Sequence, residues 1–367
     1  MVYDTIVIGA GIAGCSVAYF LKQKNQKVLL VDKKGIASGG SGAAGAFISP
    51  KVGIDLPLKQ LSDEAFRFVY DLYTKNFSQF YHPTGVARIP KDANDALKFA
   101  HYAKFHTIKH DIRSVANLAS HHINSPFDSV FFPQAGICDP KGLCHAMVLG
   151  IDFLRLHVDS ITKQNNLWEI GDKKATNLVL ATGFENDLVD MRYMSVEGIW
   201  GNRADFRSSL LLDISLHQNI SISTNMEGFV KIGATHERKV KTPKPCDEIE
   251  VNQLLAKASK LVDTSDFKLS RVFCGMRASN RDYTPVAGNI IDVEAMLKCP
   301  NILNGRKYPL VYHENLFVLN ALGARGFVFA PYVANELANH IVYGKEIDSR
   351  IHPDRLFWNW IRKANKK

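Results

Sequence analysis

The first part of the chain combines short apolar runs with a helical stretch. Residues 6–8 and 28–31 are apolar without interruption, as is typical of buried strands. The residues between them contain Gly9, Gly11 and Gly14, followed by helix-forming residues. The pattern predicts a strand, a glycine turn, a helix and a second strand that ends at Asp32.

Later segments predict further helices and strands. Apolar positions at helical spacing predict helices over 62–81, 94–106, 248–261 and 330–343, and Asp139-Pro140 marks the start of another. Residues 209–214, 220–224 and 228–234 alternate in the manner of an antiparallel sheet, whereas 177–184 is a buried run ending in a small-residue turn. We therefore expect an α/β fold, α+β overall.

The pattern of residue types along the chain changes at Thr84, where we expect a second domain to begin. A chain of 367 residues is long enough for two domains. We expect residues 1–82, 137–198 and 268–367 to form a Rossmann-like, cofactor-binding domain with a central parallel sheet. A smaller substrate domain, built on an antiparallel sheet, is expected to contain residues 83–136 and 199–267.

The three glycines fit the G-x-G-x-x-G pattern of a dinucleotide site. The first permits a tight turn, the second allows the backbone to approach a pyrophosphate, and the third lets helix and strand come close together. The next helix directs its first N–H groups toward the phosphates, and an acid eighteen residues after the third glycine can bind a ribose. This context favours a dinucleotide site over a glycine turn required only for close contact. The candidates are Gly9, Gly11, Ile12, Ala13, Gly14, Asp32 and Lys33.

Three other stretches of small residues are candidates for contact with the same cofactor. Residues 37–46 (ASGGSGAAGA) lead directly into an apolar segment, so a cofactor-facing loop is favoured over a flexible solvent loop. A second stretch ends the 177–184 run, and a third precedes the last predicted helix. The candidates here are Ser38, Gly39, Gly40, Ser41, Gly42, Ala181, Thr182, Gly183, Gly323, Ala324 and Gly326.

Composition and charge indicate a globular protein. Hydrophobic residues make up 46% and charged residues 22%, which argues against a disordered chain. The net charge of +9 is compatible with an anionic partner, and residues 343–367 hold seven basic against three acidic side chains. Neither the six cysteines nor the histidines have metal-binding spacing, so reduced thiols and no metal are expected. With no basic leader and no apolar span, the sequence favours a cytoplasmic protein that does not enter a membrane.

The ordered set of motifs resembles the D-amino-acid-oxidase-type family of FAD-dependent amine oxidoreductases along essentially the whole chain. The set includes the glycine motif, Asp32, the 37–42 loop, Ala181-Thr182-Gly183, Gly233-Ala234-Thr235, Gly275-Met276-Arg277, Asp282-x-x-Pro285-x-x-Gly288 and Gly323-x-x-Gly326. Within this family, residues 37–52, Arg277 to Pro285, residues 322–326 and His352-Pro353-x-Arg355 are similar to the oxidase part of the MnmC enzymes. Those enzymes work on the wobble uridine of certain tRNAs.

The resemblance implies an FAD enzyme that oxidises a secondary amine bearing a carboxymethyl group, as in 5-carboxymethylaminomethyluridine of tRNA. The products would be glyoxylate and the 5-aminomethyl nucleoside. It also implies that Arg277 binds the substrate carboxylate, for which a planar guanidinium is suited, and that Gly323 to Gly326, with Arg325, face the reduced flavin. The alternatives are a surface or interdomain salt bridge for Arg277 and a solvent position for Arg325.

The resemblance also bears on flavin attachment and on methylation. Some related oxidases bind flavin through a cysteine at the position that Gly275 occupies, so noncovalent FAD is expected and Cys274 is expected to be a buried structural thiol. Because the glycine motif begins at residue 9, the methyltransferase half often fused ahead of such oxidases is not expected here, and methylation is not assigned to this chain.

Two other functions would use the same motifs. One is a small-molecule glycine or D-amino-acid oxidase or dehydrogenase, and the other is a flavin-containing RNA-binding protein without turnover. The tail at residues 355–367 has two interpretations: a last helix whose aromatic side chains are buried against the protein, or a surface that also contacts RNA phosphates. Its aromatic and basic residues are Phe357, Trp358, Trp360, Arg355, Arg362, Lys363, Lys366 and Lys367.

Overall fold

The computed structural model describes residues 1–54, 56–238, 240–303, 306 and 308–364. The chain forms two compact units, each assembled from separate segments. Unit 1 contains Met1–Ser38, Cys144–Gly198 and Arg277–Lys367. Unit 2 contains Gly39–Leu143 and Ile199–Met276.

Strands and helices alternate along the described residues. The strands are β1 (Val2–Ile8), β2 (Val28–Asp32), β3 (Phe47–Ile48), β4 (Tyr81–His82), β5 (Val86–Arg88), β6 (Asp111–Arg113), β7 (Ser129–Phe132), β8 (Gly136–Cys138), β9 (Asp152–Arg155), β10 (Thr162–Gln164), β11 (Leu167–Ile170), β12 (Lys173–Leu180), β13 (Glu197–Arg207), β14 (Ser215–His217), β15 (Ser221–Ile222), β16 (Phe229–Gly233), β17 (Glu237–Arg238), β18 (Lys268–Ser279), β19 (Val286–Ile291) and β20 (Tyr312–Asn320). The helices are α1 (Ile12–Lys22), α2 (Pro57–Asn76), α3 (Ala93–Ala103), α4 (Val115–Ser120), α5 (Pro140–Met147), α6 (Glu248–Ala258), α7 (Val293–Leu297), α8 (Pro300–Leu303), α9 (Gly326–Tyr343) and α10 (Asp354–Ala364).

Unit 1 is built on a parallel sheet. Its parallel strands follow the order β20, β12, β1, β2 and β9, while β10, β11 and β19 add antiparallel strands at the sides. The inner strands β1, β2 and β12 are buried runs, which is typical of a parallel sheet covered by helices on both faces. Because β1 lies between β12 and β2, the strand order reverses there, and the carboxyl ends of these strands form the crevice in which such sheets bind ligands.

The last helix is part of the core of unit 1. Phe357 and Ile361 are buried in the cluster that also contains Tyr193, and the rings of Tyr193 and Phe357 lie 5.6 Å apart in an edge-to-face arrangement. Trp358 and Trp360 are half-buried against the same cluster. The structure therefore supports the predicted burial of the tail aromatics, whereas Lys366 and Lys367 lie outside the described residues.

Unit 2 is built on a mainly antiparallel sheet of order β17, β13, β16, β15, β14, β5, β7 and β6, in which β18 also pairs with β13. Val230 and Ile232 of β16 enter its hydrophobic core, together with residues of α6. A small second sheet joins β8 to β3 and β4. These pairings bring residues 39–82 and 137–143 into unit 2, and residues 268–276 of β18 also belong to it. The compact units therefore divide the chain differently from the expected domains at those residues.

Several sequence predictions were wrong in detail. No strand covers residues 209–214, because Asp266 accepts the N–H of Ser209 at 2.6 Å and Asn225 donates to the carbonyl of Leu210 at 2.8 Å. These side-chain bonds replace the ladder that a strand requires. The expectation of reduced cysteines was also wrong, because Cys246 and Cys274 form a disulfide, whereas Cys15, Cys138, Cys144 and Cys299 are not part of a disulfide.

Candidate cofactor site and active site

The turn after β1 requires glycine at two positions. Gly9 has a φ of +102°, and a Cβ there would lie 2.3 Å from the carbonyl oxygen of Ala181. A Cβ on Gly14 would lie 1.8 Å from the carbonyl oxygen of Gly9. The glycines therefore bring β1, α1 and the end of β12 closer together than any side chain would allow.

The start of α1 lies directly after this turn. Gly11 is the N-cap residue and provides no side-chain cap, and Ile12 and Ala13 begin the helix. The first N–H groups of a helix have no partner within the helix, and its dipole is positive at this end. Such a helix start suits a pyrophosphate, and contact of Gly11, Ile12 and Ala13 with one stays a prediction.

Asp32 supports the loops around the turn. Its Oδ2 accepts the N–H of Ala10 at 2.9 Å, and its Oδ1 accepts the N–H groups of Lys34 and Gly35 at 2.8 and 2.9 Å. The Ser38 hydroxyl lies 3.4 Å from the same Oδ1. Each carboxylate oxygen has about two acceptor positions, so these contacts occupy Oδ1 and orient Asp32, while Oδ2, which accepts one N–H, keeps capacity for a ribose hydroxyl.

Lys33, which follows Asp32, has a partner that the sequence did not indicate. Its amine bonds Glu185 at 2.6 Å in a half-exposed ion pair, and that partner lies just beyond Gly183 in the chain. A contact between Lys33 and the cofactor stays a prediction.

The end of β12 is held in part by Asn320, a residue that the sequence did not indicate. The Ala181 N–H donates to the carbonyl of Ile8 at 2.8 Å, and the Thr182 hydroxyl donates to the carbonyl of Glu185. Asn320, the last residue of β20, donates to the carbonyl of Gly183 at 2.7 Å. The sequence signal that could have identified Asn320 was an amide side chain at the carboxyl end of a predicted strand.

The segment from Gly323 to Gly326 brings the start of α9 beside the start of α1. Gly323 has a φ of +56°, and a Cβ on Gly326 would lie 3.2 Å from the Ile12 side chain. Ala324 is exposed, whereas Arg325 is half-buried with its guanidinium carbon 5.8 Å from the centre of the Phe329 ring. Two helix N-termini therefore lie at the same end of unit 1.

The second glycine stretch continues from unit 1 into unit 2. Within unit 2, the N–H of Gly42 donates to the carbonyl of Gly39 at 3.1 Å, and the N–H of Ala44 donates to that of Ser41 at 3.2 Å. A Cβ on Gly275 would lie 3.0 Å from the Cα of Gly40, so this loop runs close to β18. Contact of Gly39, Gly40, Ser41 and Gly42 with a cofactor stays a prediction.

Arg277 lies near the end of β18, where the chain returns to unit 1. Its side chain is half-buried, and burial lowers the pKa of its guanidinium to about 10. The group is therefore still charged at neutral pH. Its role toward a substrate carboxylate stays a prediction.

The residues at the carboxyl edge of the unit 1 sheet fit a dinucleotide. A glycine cradle without room for side chains, an uncapped helix start and an acid at the end of the second strand meet at the point where strand order reverses. These features define a Rossmann-type, dinucleotide-binding protein.

The chain belongs to the family described as DAO: FAD dependent oxidoreductase, which it matches over residues 4–340. FAD is therefore its cofactor, and the protein is a flavin-dependent oxidoreductase. The four stretches predicted from sequence as the FAD site include three that lie at one end of unit 1: the turn after β1, the turn after β12 and the start of α9.

Comparisons with known proteins identify proteins of similar sequence. The chain is 25% identical over 345 residues to the tRNA 5-methylaminomethyl-2-thiouridine biosynthesis bifunctional protein MnmC of Maricaulis maris, covering 92% of this chain and 52% of that protein. It is 23% identical to the protein of the same name from Marinobacter nauticus, covering 96% of this chain and 58% of the relative. The chain thus spans little more than half the length of these relatives.

Solved structures share the fold. Glycine oxidase from Bacillus cereus has a TM-score of 0.78 at 19% identity, with 94% of this chain and 96% of that chain covered. L-proline dehydrogenase from P. horikoshii has a TM-score of 0.79 at 15% identity, with 98% of each chain covered. At these identities the similarity shows the fold alone.

Metal-binding groups and membrane-spanning helices are absent from the described part of the chain. No group of three or more histidine, cysteine, aspartate or glutamate side chains there could hold a metal ion. Among the same residues, no helix combines the length and the apolar character needed to cross a membrane.

Proposed function

We propose that the protein oxidises the secondary amine of 5-carboxymethylaminomethyl(-2-thio)uridine in tRNA. The carboxymethyl group leaves as glyoxylate, and the nucleoside keeps a 5-aminomethyl group. The observation that carries the proposal is similarity to the two MnmC relatives over more than nine-tenths of this chain. A cytoplasmic location is part of the proposal, since tRNA is the substrate.

The residues of unit 1 would hold FAD without a covalent bond. Gly9, Gly11 and the start of α1 would bind the pyrophosphate, and Asp32 the ribose. The chemistry that FAD would supply there is acceptance of a hydride from the methylene of the carboxymethyl group, and hydrolysis of the imine would give glyoxylate and the 5-aminomethyl group. Cys274 does not offer a thiol for attachment, because its sulfur is bonded to Cys246.

Two arginines would have different tasks. Arg277 would bind the carboxylate of the carboxymethyl group, because a planar guanidinium donates two parallel hydrogen bonds to a carboxylate. Burial lowers the pKa of Arg277 only to about 10, so its guanidinium remains protonated at neutral pH. Arg325 and the start of α9 would stabilise negative charge on the reduced cofactor.

The tail offers fewer phosphate contacts than its composition suggests. Arg355 donates to the carbonyls of Thr284 and Pro285 at 3.0 and 3.2 Å, so it fixes α10 to unit 1. Arg362 and Lys363 are exposed in the last turn of α10. We propose these two side chains as contacts to tRNA phosphates.

Anaerobic reduction of the bound flavin tests the function. We expect tRNA carrying the carboxymethylaminomethyl group to bleach the flavin, and the same tRNA without that group to leave it oxidised. Arg277→Met should retain bound FAD while slowing bleaching by on the order of 100-fold, because a buried ionic contact to the carboxylate is lost. Arg277→Lys should be intermediate, since a lysine cannot form the two parallel bonds.

Free glycine and D-alanine are the controls for the small-molecule alternative. Bleaching by either amino acid together with no response to the modified tRNA would replace the proposed function by that alternative. If no amine bleaches the flavin, the non-catalytic alternative is favoured instead. Normal bleaching in Arg277→Met would remove Arg277 from the substrate site.

A further inference from the structure

One face of the unit 2 sheet carries charged side chains that the proposed function does not use. In the antiparallel pair of β13 and β16, Asp205 lies opposite Lys231 and Arg203 lies opposite Gly233. The intervening residues Ala204, Val230 and Ile232 enter the hydrophobic core of the unit. Because side chains alternate along a strand, Arg203, Asp205 and Lys231 share the face opposite that core.

Arg203 and Asp205 neutralise each other on this face. The Arg203 Nε lies 3.0 Å from Asp205 Oδ1 in an ion pair, and Nη2 donates a hydrogen bond to Oδ2 at 3.2 Å. The Arg203 side chain is 5% exposed, its Nη1 donates to the carbonyl of Ala44, and its guanidinium lies 3.9 Å from the centre of the Phe273 ring. The pair is fixed in position and contributes no net charge.

Lys231 is the surplus cation. In the described part of the chain, its amine makes no hydrogen bond to a side chain and no carboxylate lies within ion-pair distance of it. Burial lowers the pKa of Lys231 and nearby Arg203 lowers it further, whereas Asp205, Cys138 and Asp139 act in the opposite direction.

The neighbours of Lys231 on the small sheet do not remove this surplus. Burial raises the pKa of the Cys138 thiol, which is therefore neutral, and burial lowers the pKa of the His82 imidazole, which is also neutral at physiological pH. Asp139 is exposed, and its Oδ1 accepts the N–H of Lys141 at 3.0 Å at the start of α5. A desolvated cation without a close counterion is costly, and an anion placed beside it would recover that cost.

We propose that this face of unit 2 binds a carboxylate, with Lys231 as the direct ligand and the Arg203–Asp205 pair as its fixed polar boundary. A small terminal carboxylate suits the desolvated position of the Lys231 amine, whereas a phosphodiester would require both flanking riboses to be buried as well. The occupant with this chemistry is a carboxymethyl group on nitrogen, an identification that rests on the proposed function. Lys231 is then a specificity-determining residue of unit 2.

Ligand binding tests the proposal without any turnover. N-Acetylglycine carries a carboxymethyl group on nitrogen, and N-acetylglycinamide is its neutral match. With FAD-loaded protein in isothermal titration calorimetry, we expect N-acetylglycine to bind and the amide not to bind. Lys231→Met should weaken N-acetylglycine binding at least about tenfold, as expected for loss of a close ionic contact, whereas Lys231→Arg should retain it. Lys257→Met, at an exposed position on α6, should bind as the wild type does.

Thermal unfolding provides a second measurement. Without ligand, Lys231→Met should raise the unfolding temperature by about 2–4 °C, because it removes an uncompensated buried charge, and Lys257→Met should not. Equal affinity of the wild type and Lys231→Met for N-acetylglycine would overturn the proposal. The proposal would also be overturned if the wild type failed to bind N-acetylglycine, or if Arg277→Met lost this binding while Lys231→Met kept it. The tRNA bleaching experiment can fail or succeed independently, because it measures electron transfer and this one measures binding.

Discussion

At the scale of single residues, the candidate cofactor site depends on the absence of side chains as much as on their presence. Gly9 and Gly14 permit contacts that any Cβ would block, and Asp32 fixes the surrounding loop through backbone N–H groups. The sequence indicated these three residues because the dinucleotide motif has a fixed local spacing. It did not indicate Asn320 or the Glu185 partner of Lys33, since those contacts join segments that are far apart in the chain.

Gly9→Ala should prevent stable FAD binding. The added methyl would lie 2.3 Å from the Ala181 carbonyl oxygen at a φ of +102°, so either β1 or β12 must shift. We expect a loss of at least about 2 kcal/mol in the free energy of unfolding and a large loss of bound flavin. Gly53→Ala is the matched control, because a Cβ at Gly53 meets nothing within 4 Å. Urea unfolding and flavin absorbance check both; wild-type flavin content in Gly9→Ala would contradict the assigned role.

His106 is expected to make stability sensitive to acid. Its Nδ1 accepts the N–H of Ile108 at 3.2 Å and its Nε2 lies 3.1 Å from the carbonyl of Lys51, which together require the neutral ring with hydrogen on Nε2. Burial lowers the pKa of His106, although Asp63 opposes that effect. As pH falls below the ordinary histidine value of about 6.5, the unfolded chain binds a proton that the folded state resists. Folded stability should therefore be greatest above that value and decrease toward lower pH.

The measurement is the urea midpoint at pH 7.5 and 5.5. His106→Gln should lose less stability between these values than the wild type loses, because it has no proton to gain. His157→Gln changes an exposed histidine and should follow the wild type. If His106→Gln and the wild type lose the same amount of stability between pH 7.5 and 5.5, other groups cause the pH dependence.

At the scale of secondary-structure elements, helices were predicted better than the strands of unit 2. The 330–343 prediction corresponds to α9, which ends where Gly344 takes a left-handed conformation, as a glycine after a helix indicates. The long strand β13 was not predicted, and residues 209–214 were assigned a strand that does not exist. The pairing of β13 with β16, which groups Arg203 with Lys231, is set by register between distant segments and has no local signal. The pairing of Cys246 with Cys274 has none either.

Helix α10 provides a prediction at this scale. Phe357 is fully buried among Tyr193, Trp358 and Trp360. Phe357→Ala should cost about 3–5 kcal/mol in the free energy of unfolding, because it leaves a cavity in the core of unit 1. Asn359→Ala, at an exposed position on the same helix, should cost little. Thermal unfolding distinguishes the two; equal midpoints would mean that α10 is not part of the core.

This result also determines how tRNA contacts should be studied. Removing residues 355–367 would delete Phe357 and Ile361, so weaker RNA binding could result from damage to the core. Glutamine substitutions at Arg362 and Lys363 remove the exposed charges and leave Phe357 and Ile361 in place.

At the scale of the whole molecule, the fold class and the cofactor were predictable, whereas the path of the chain between units was less so. Glycine turns, buried strands and their order along the sequence were sufficient for the Rossmann-like sheet. The boundaries within residues 39–82 and 137–143 depend on β8 pairing with β3 and β4, three strands of two or three residues each. Such short strands leave almost no trace in a hydrophobic pattern.

The interleaved path has a consequence for the protein during its own synthesis. As the chain leaves the ribosome, the glycine turn and Asp32 emerge early, but β20 and the residues that begin α9 follow only after all of unit 2. Until β20 arrives, β12 has an open edge, and open strand edges are sites where nascent chains associate wrongly. We therefore expect flavin capture late in synthesis, and a chain that terminates between β12 and β20 should be unable to hold the cofactor.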